Sequence, residues 1–493
     1  MSVALQVGII VGYLLVALAV GLVAYRLTDR TAEDFYLASR TLGTVVLLFT
    51  TFATLLSAFT FFAGPNVAYA EGPEWVLVMG LMDGIIFAVL WYVIGYKQWL
   101  LGQQYGYVTL GEMLGDRFAS RRLRGLVAGV SLLWLFPYVM LQQVGAGRAL
   151  QSLTDGAVPY AAGAGLITAF MILYVVVAGM RGIAWTDTLQ GAFMLVTTWV
   201  ALLWVLAAVG GPGAATEAIA SNPETADFLS LGSDYYTPQW MLSTAITIGF
   251  GVAMFPQVNQ RFFAAGSKRV LKRSFALWPI LCVLLFVPSF MLGAWAAGLG
   301  VDVALADGEN VLPTVLAEYT PVWFAALVIA GAMAAMMSSS DSMLLSGSSY
   351  FTRDLYRPFV DRSISERRED FLARTGVVVF ASAAFVASLL TPAPLFDIGE
   401  AAFGGFAQIA LPVIVALYWR RTTRTGITAG IAVSQAFYLS SLFLPFVPGS
   451  YAGWTAGIVG MGLSLVVTVA VSLVTTPAAD ERRAIYFERL GAD

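Results

Sequence analysis

The chain contains no histidine and a single cysteine, Cys282. A disulfide framework, zinc or haem held by imidazole, and a histidine proton relay are all excluded. Any bound metal must be held by oxygen, which points to a hard cation. Charge is scarce too: 12% of the 493 residues are Asp, Glu, Lys or Arg, and only three are lysine. A soluble chain would carry about 25%. No nucleophile–base pair stands out, so the expectation is a protein that is not an enzyme, has no organic cofactor and has no nucleic-acid partner.

What replaces charge is apolar length. Hydrophobic residues make up 59% of the sequence, and mean hydropathy is +0.78. Apolar runs of about 20 residues, each long enough to cross a bilayer core of roughly 30 Å, recur throughout. The reading is an all-α integral membrane protein. Thirteen spans are expected, at about 4–26, 42–69, 74–96, 123–148, 158–180, 184–210, 239–264, 274–299, 321–350, 372–391, 395–419, 425–446 and 452–475. The first lacks a basic leader and a clear cleavage site, so it reads as a retained helix and not a signal peptide. The loops are short, and no soluble catalytic or sensing domain is expected.

The basic residues order these spans. One set of alternate loops holds Arg26, Arg30, Arg40, Lys97, Arg117, Arg121, Arg122, Arg124, Arg181, Arg261, Lys268, Arg269, Lys272 and Arg273. The same set continues with Arg353, Arg357, Arg362, Arg367, Arg368, Arg374, Arg420, Arg421, Arg424, Arg482, Arg483 and Arg489. Those are 26 of the 27 basic residues, with Arg148 alone at the opposite end. The positive-inside rule then puts the N-terminus outside and the C-terminus in the cytoplasm of a cell (plasma) membrane.

Two spans carry Gly/Pro interruptions at matching places. Span 2 contains Thr54, Ser57, Thr60 and then Gly64-Pro65-Asn66; span 7 contains Gly249, Gly251 and Pro256. Spans 2–6 and 7–11 would form two five-helix halves, each opened by its broken helix. An odd number of helices per half is what inverted topology requires, and transporters place their sites at such breaks. The bland alternative is two kinked helices, since Gly and Pro are common in membrane helices. Polar residues also interrupt span 9, as "AAMMSSSDSMLLSGSS" (334–349). Its serines suit ligands, back-bonding to carbonyls four residues earlier, or a small-residue packing face.

Four segments, "GIAWTDTLQGAFML" (182–195), "FPQVNQRFFAAGS" (255–267), "AAMMSSSDSMLLSGSSYFTRDLY" (334–356) and "ALYWRRTTRTGITAG" (416–430), resemble the sodium–solute symporters. That family includes sodium-coupled proline, pantothenate, monocarboxylate and sugar carriers. The resemblance implies a LeuT-like five-plus-five inverted repeat with one extra helix before it and two after. The expected division is 1–41 for the N-terminal helix and first loop, 42–210 and 239–419 for the repeats, and 420–493 for the C-terminal helices and tail. It further implies a sodium site between spans 2 and 9, formed by the carbonyls of Ala53, Leu56 and Ala335 and the hydroxyls of Ser338 and Ser339. A second sodium is expected at Asp187, Ser338, Asp341 and Ser342. Asp187 and Gln190 also have capping-box spacing at the start of span 6, so a helix cap is the competing reading.

By position, the substrate is expected against Ser57, Phe59 and Thr60 on span 2, Tyr138 and Gln142 on span 4, Val252, Met254 and Phe255 on span 7, and Phe403 and Gln408 on span 11. Arg261 is assigned to gating or anchoring, or else to snorkelling at the span end. Asp83, Asp397 and Glu400 are buried acids whose roles stay open. Proline carriers of the family have an acid at Leu55, Trp at Phe59 and Tyr at Val252, and "TTFATLLSAFTFFAGP" is most similar to monocarboxylate or pantothenate carriers. The expected function is therefore sodium-coupled symport of a small organic acid by alternating access, the protein acting as a monomer in the lipid bilayer. Sodium-coupled amino acid, pantothenate or sugar symport, a membrane sensor and a passive channel are the alternatives.

Overall fold

The computed structural model describes residues 3–26, 32–390, 394–477 and 486–487. Arg30, Arg482, Arg483 and Arg489 of the charge pattern lie outside them. Among the described residues the one sheet is the antiparallel pair Ser450–Tyr451 and Trp454–Thr455; nearly everything else is helix.

Among the described residues ten helices are long and apolar enough to cross a bilayer, and two further helix pairs qualify together across a bend. The bent pairs are Thr44–Leu55 with Phe59–Glu71, at 63°, and Pro238–Ala253 with Pro256–Ala264, at 55°. Taking each pair as one span gives up to twelve. The expected span 5 is the apolar helix Tyr160–Val176, too short to pass the same test; only its inclusion reaches the expected thirteen. The chain is thus a multi-pass membrane protein whose second and seventh expected spans are both broken.

In span 2 the break does not fall where glycine and proline suggested. The helix stops at Leu55, and Leu56 is extended at φ −77°, ψ 126°. Gly64 and Pro65 instead continue a helix, Gly64–Glu71, entered through the π-helical turn Phe59–Ala63. The Thr60 carbonyl, one turn before the proline, accepts from Ser289 Oγ on span 8 at 3.2 Å. Packing explains the pair better. A side chain at Gly64 would meet the Phe290 ring at 2.1 Å, and one at Gly293 would meet the Pro65 carbonyl oxygen at 2.2 Å. Both glycines let span 8, Lys268–Gly298, lie directly against the outer half of span 2. In span 7 the interruption is at Met254 and Phe255, with Pro256 opening the next helix. Gly251 stays helical and abuts the Phe403 carbonyl, which an added Cβ would meet at 2.3 Å.

A third correction concerns span 6. The chain turns sharply at Gly179 (φ 60°, ψ −175°), so the helix Gly179–Val209 begins two turns before Asp187. Asp187 is an interior helical residue and caps nothing. Of the two expected roles of Arg261, snorkelling is excluded, because the residue is wholly buried.

The close span 2–span 8 contact gives a direct test. Gly293→Ala should lower the detergent-solubilised melting temperature, because overpacking a tight contact costs about 1–3 kcal/mol. Gly129→Ala, with nothing within 4 Å of the new methyl, should leave it within error. Fluorescence-monitored melting of the two variants checks the contrast.

Candidate functional site

At the break in span 2 the helix gives up its carbonyls, and span 9 (Val322–Ser349) meets them with hydroxyls. Ser338 Oγ donates to the Ala53 carbonyl at 2.5 Å and lies 3.2 Å from that of Ala335. Ser339 Oγ donates to the carbonyls of Leu56, at 2.5 Å, and Thr54, at 2.8 Å. All five expected oxygen donors therefore converge, with Thr54 adding a sixth that the sequence reading lacked. Every residue in the group is buried. The set is neutral: carbonyl oxygens with spare lone pairs, and hydroxyls that can turn their protons away and present oxygen. That chemistry fits a hard monovalent cation. The N–H side of the same break is also satisfied. Ala58 N–H donates to Gln142 Oε1 at 2.9 Å and Phe59 N–H to Ser57 Oγ at 3.2 Å.

Nearby lies a buried charged cluster. Asp187 Oδ2 accepts from Thr50 Oγ1 at 2.6 Å, from Arg261 Nη2 at 3.1 Å and more distantly from Thr54 Oγ1 at 3.4 Å. Arg261 Nη2 also reaches Ser342 Oγ at 2.6 Å and Thr50 Oγ1 at 3.0 Å, while Nη1 donates to the Gln257 carbonyl at 3.0 Å. Asp187, Ser342 and Arg261 thus form one network, and Thr54, 2.9 Å from Ser342 Oγ, joins it to the hydroxyl-lined break. Ser338 belongs to the break and not to this cluster. Asp341, within electrostatic reach of Asp187, has no hydrogen-bonding partner for either carboxylate oxygen among the described residues, and Asp187 Oδ1 has none either. Arg261 pairs with Asp187 alone, and Asp341 has no cationic partner among the described residues. The pairing of Asp187 with Arg261 had no sequence signal beyond the two residues' presence, because nothing local relates span 6 to span 7.

A narrow cavity of about 30 Å³ lies beside the breaks, lined by Phe59, Thr60, Tyr138, Val252 and Phe403 among others. Those five were expected at the substrate site. Ser57 and Phe255 stand just behind the wall, Ser57 Oγ 3.0 Å from the Tyr138 hydroxyl and Phe255 stacked on Phe403. Met254 is buried at the span 7 break. Gln142 holds the Ala58 N–H, as above, and is not a lining residue. Gln408 is directed elsewhere, its amide donating to the carbonyls of Gly404 and, on span 13, Gly457. Spans 3 and 8 supply walls that sequence reasoning missed: Met79, Asp83 and Phe87 from one, Trp278, Cys282 and Phe286 from the other. Asp83 was legible as a buried acid; the span 8 residues looked like ordinary apolar core.

The two ends of the protein are shut differently. Above the cavity, Phe59 packs on Phe396 with centroids 5.6 Å apart, and Trp75 packs on Phe396 and Trp240. A wider vestibule beyond them is lined by Glu71, Arg148, Tyr235 and Glu309. The end bearing the basic loops is closed by directed bonds. Arg40 bonds the carbonyls of Phe263 and Tyr107, Trp99 bonds that of Ala265, and Arg124 bridges Asp354 and Glu112, which also pairs with Arg353. Burial alone would raise the Glu112 carboxyl, but the guanidinium groups of Arg353 and Arg124 hold it below its ordinary value.

The buried ion pair makes a testable claim on stability. Asp187→Asn or Arg261→Met alone strands a charge in low dielectric, and each should cost about 3–5 kcal/mol. The double variant should recover much of that loss. Denaturation of purified protein in detergent, read as a double-mutant cycle, checks it.

Comparison with known proteins agrees with this geometry. The profile of the sodium:solute symporter family matches residues 35–434. The sodium/pantothenate symporter of Escherichia coli K12 is 30% identical over 487 residues, covering 94% of this chain and 98% of that protein. The sodium/proline symporter of Haemophilus influenzae Rd is 27% identical, covering 85% of each. Among solved structures, a Na⁺-coupled sialic acid symporter in a substrate-bound outward-open state superposes with a TM-score of 0.80 at 20% identity, covering 96% and 99% of the two chains. Mhp1, a nucleobase-cation-symport-1 transporter in a closed conformation, gives 0.62 at 15% identity, covering 94% and 99%. The fold is therefore the LeuT-like inverted repeat, the protein is a transporter and not an enzyme, and the chain belongs to the sodium:solute symporter family.

Proposed function

We propose that the chain carries a small organic acid into the cell together with sodium, and that the oxygen cluster at the span 2 break is where the ion binds. The observation that carries this reading is the convergence of the Ala53, Leu56 and Ala335 carbonyls on the hydroxyls of Ser338 and Ser339. Two of those five oxygens belong to span 2 and three to span 9. A cation held there stabilises the arrangement in which the two spans touch, and separating them dismantles the shell. Neutral dipoles suit an ion that must be released in each cycle.

Substrate enters from the vestibule beyond Phe59 and Phe396, and the basic end is inside, with the N-terminus outside and the C-terminus cytoplasmic in the plasma membrane. Residues 42–210 and 239–419 act as the two moving repeats, flanked by 1–41 and 420–493, within a single monomer. Inward release requires the Arg40 and Arg124 bonds to break; outward opening requires the Phe59, Phe396 and Trp75 rings to part. Asp187, Asp341 and Ser342 are assigned to a second positive charge; Ser338, expected among them, stays with the break. The support is electrostatic: with one guanidinium for two buried carboxylates, a further cation or proton balances the cluster. Among organic acids pantothenate is the first choice, because the relative that covers most of this chain at 30% identity carries it. One sodium carried with one carboxylate moves no net charge, and each further sodium contributes about 2.3 kcal/mol per 100 mV, enough for roughly fiftyfold accumulation.

Uptake of labelled pantothenate, proline and lactate into proteoliposomes, with and without an inward sodium gradient, tests the reading. Sodium-independent entry of all three, or entry of none, would sink it. Ser338→Ala/Ser339→Ala should raise the half-saturating sodium concentration at least tenfold. Asp341→Asn should lower the Hill coefficient for sodium toward one.

A further inference from the structure

One polar group of the cavity has no use in the scheme above. Asp83, on span 3, is 6% exposed and lines the same cavity as Thr60, Tyr138 and Val252. Its Oδ1 has no partner among the described residues. The carboxylate faces bare backbone: a side chain at Gly249 on span 7 would meet Oδ1 at 3.2 Å. No lysine or arginine lines the cavity, and its remaining walls are largely apolar and aromatic. Trp278 Nε1–H, on span 8, is a second unpartnered polar group in the same lining. A donor and an acceptor are thus both unspent around one space and do not bond each other.

An unpaired buried carboxylate is among the most costly groups a protein can hold, and its cost falls sharply when a donor arrives. A site built in this way discriminates strongly for ligands that bring the missing donor. We propose that Asp83 is the specificity-determining acceptor for the substrate. It receives an O–H or N–H that the organic acid carries away from its own carboxylate. This rests on the organic-acid symport reading and narrows it. The substrate's own carboxylate brings no donor to Asp83, so it lies against another part of the cavity. A simple monocarboxylate with no donor leaves Asp83 unpaired and is excluded. A hydroxy acid, an amino acid or a hydroxylated amide such as pantothenate is admitted.

Three matched pairs test this: pantothenate and its analogue lacking both hydroxyls, lactate and propionate, proline and cyclopentanecarboxylate. Each is measured as inhibitor or substrate of sodium-driven uptake in proteoliposomes of the full chain. For whichever pair is transported, the wild type should favour the donor-bearing member at least tenfold in half-saturation. Asp83→Asn should reduce that ratio by about tenfold or more. A wild type that takes both members of a pair equally, or an Asp83→Asn protein that keeps the full ratio, overturns the Asp83 assignment and leaves sodium symport standing. A wild type that transports none of the six overturns the organic-acid reading as well. A second measurement needs no substitution: carbodiimide modification of wild-type Asp83, mapped by mass spectrometry. The donor-bearing member should slow the reaction and its partner should not; equal protection by both, or by neither, refutes the assignment.

Discussion

Backbone at membrane depth has nowhere to hide. In hydrocarbon each free N–H or carbonyl costs several kcal/mol, so a broken helix survives only where other groups replace the lost intrahelical bonds. The interruption at Leu56–Ala58 obeys this on both sides. Gln142 and the Ser57 hydroxyl take the N–H groups of Ala58 and Phe59, and Ser338 and Ser339 take the carbonyls. Much of the remaining polar chemistry is arranged around these few bonds. Span 4 is held to span 2 by Gln142, and span 9 by its serines. The serine bonds are the exchangeable ones: a hydroxyl bonded to a carbonyl and a cation sharing both oxygens are alternative ways of meeting one requirement.

The charged cluster repeats the logic with higher stakes. Arg261 reaches Asp187, Thr50 and Ser342 with a single nitrogen, so spans 2, 6, 7 and 9 meet at one guanidinium. A fully apolar junction would be cheaper to bury. A polar one has a defined bonded arrangement, and Thr54, which contacts both Ser342 and Asp187, ties that arrangement to the span 2 break only a residue away.

Much of the architecture was legible in the sequence because hydropathy and charge are local signals. The segregation of arginines, the apolar lengths and the serine run in span 9 all read directly. The errors share a cause. Gly64-Pro65 looked like a break because both residues weaken helices in isolation; a π turn and the ring of Phe290 make them a packing device instead. Asp187 looked like a cap because Gly179, which actually starts the helix, sits outside any capping motif. Arg261 looked like a span end reaching for water because its partners come from three distant segments. Gln408 looked like a pocket amide because helical position alone does not say whether a side chain faces span 13. Contacts between segments far apart in sequence leave no trace in either segment.

The two closures are unequal in kind, and this bears on which way the cycle rests. The vestibule side is sealed by rings that contact through dispersion and burial, with no directed bond among Phe59, Phe396 and Trp75. The basic side is sealed by a network in which Glu112 receives both Arg124 and Arg353 and Asp354 receives Arg124 again. Parting aromatic rings exposes apolar surface but leaves no charge unpaired. Parting the network leaves several ions to be rehydrated before water reaches them. The outward route is therefore the cheaper to open from this arrangement. The oxygens of spans 2 and 9 lie together while the basic end is shut, so a cation held there, as proposed, would add to the same bias. Binding energy from the substrate is then needed to overcome the network, and that places the decisive contacts in the cavity wall, where span 3 and span 8 meet the broken helices.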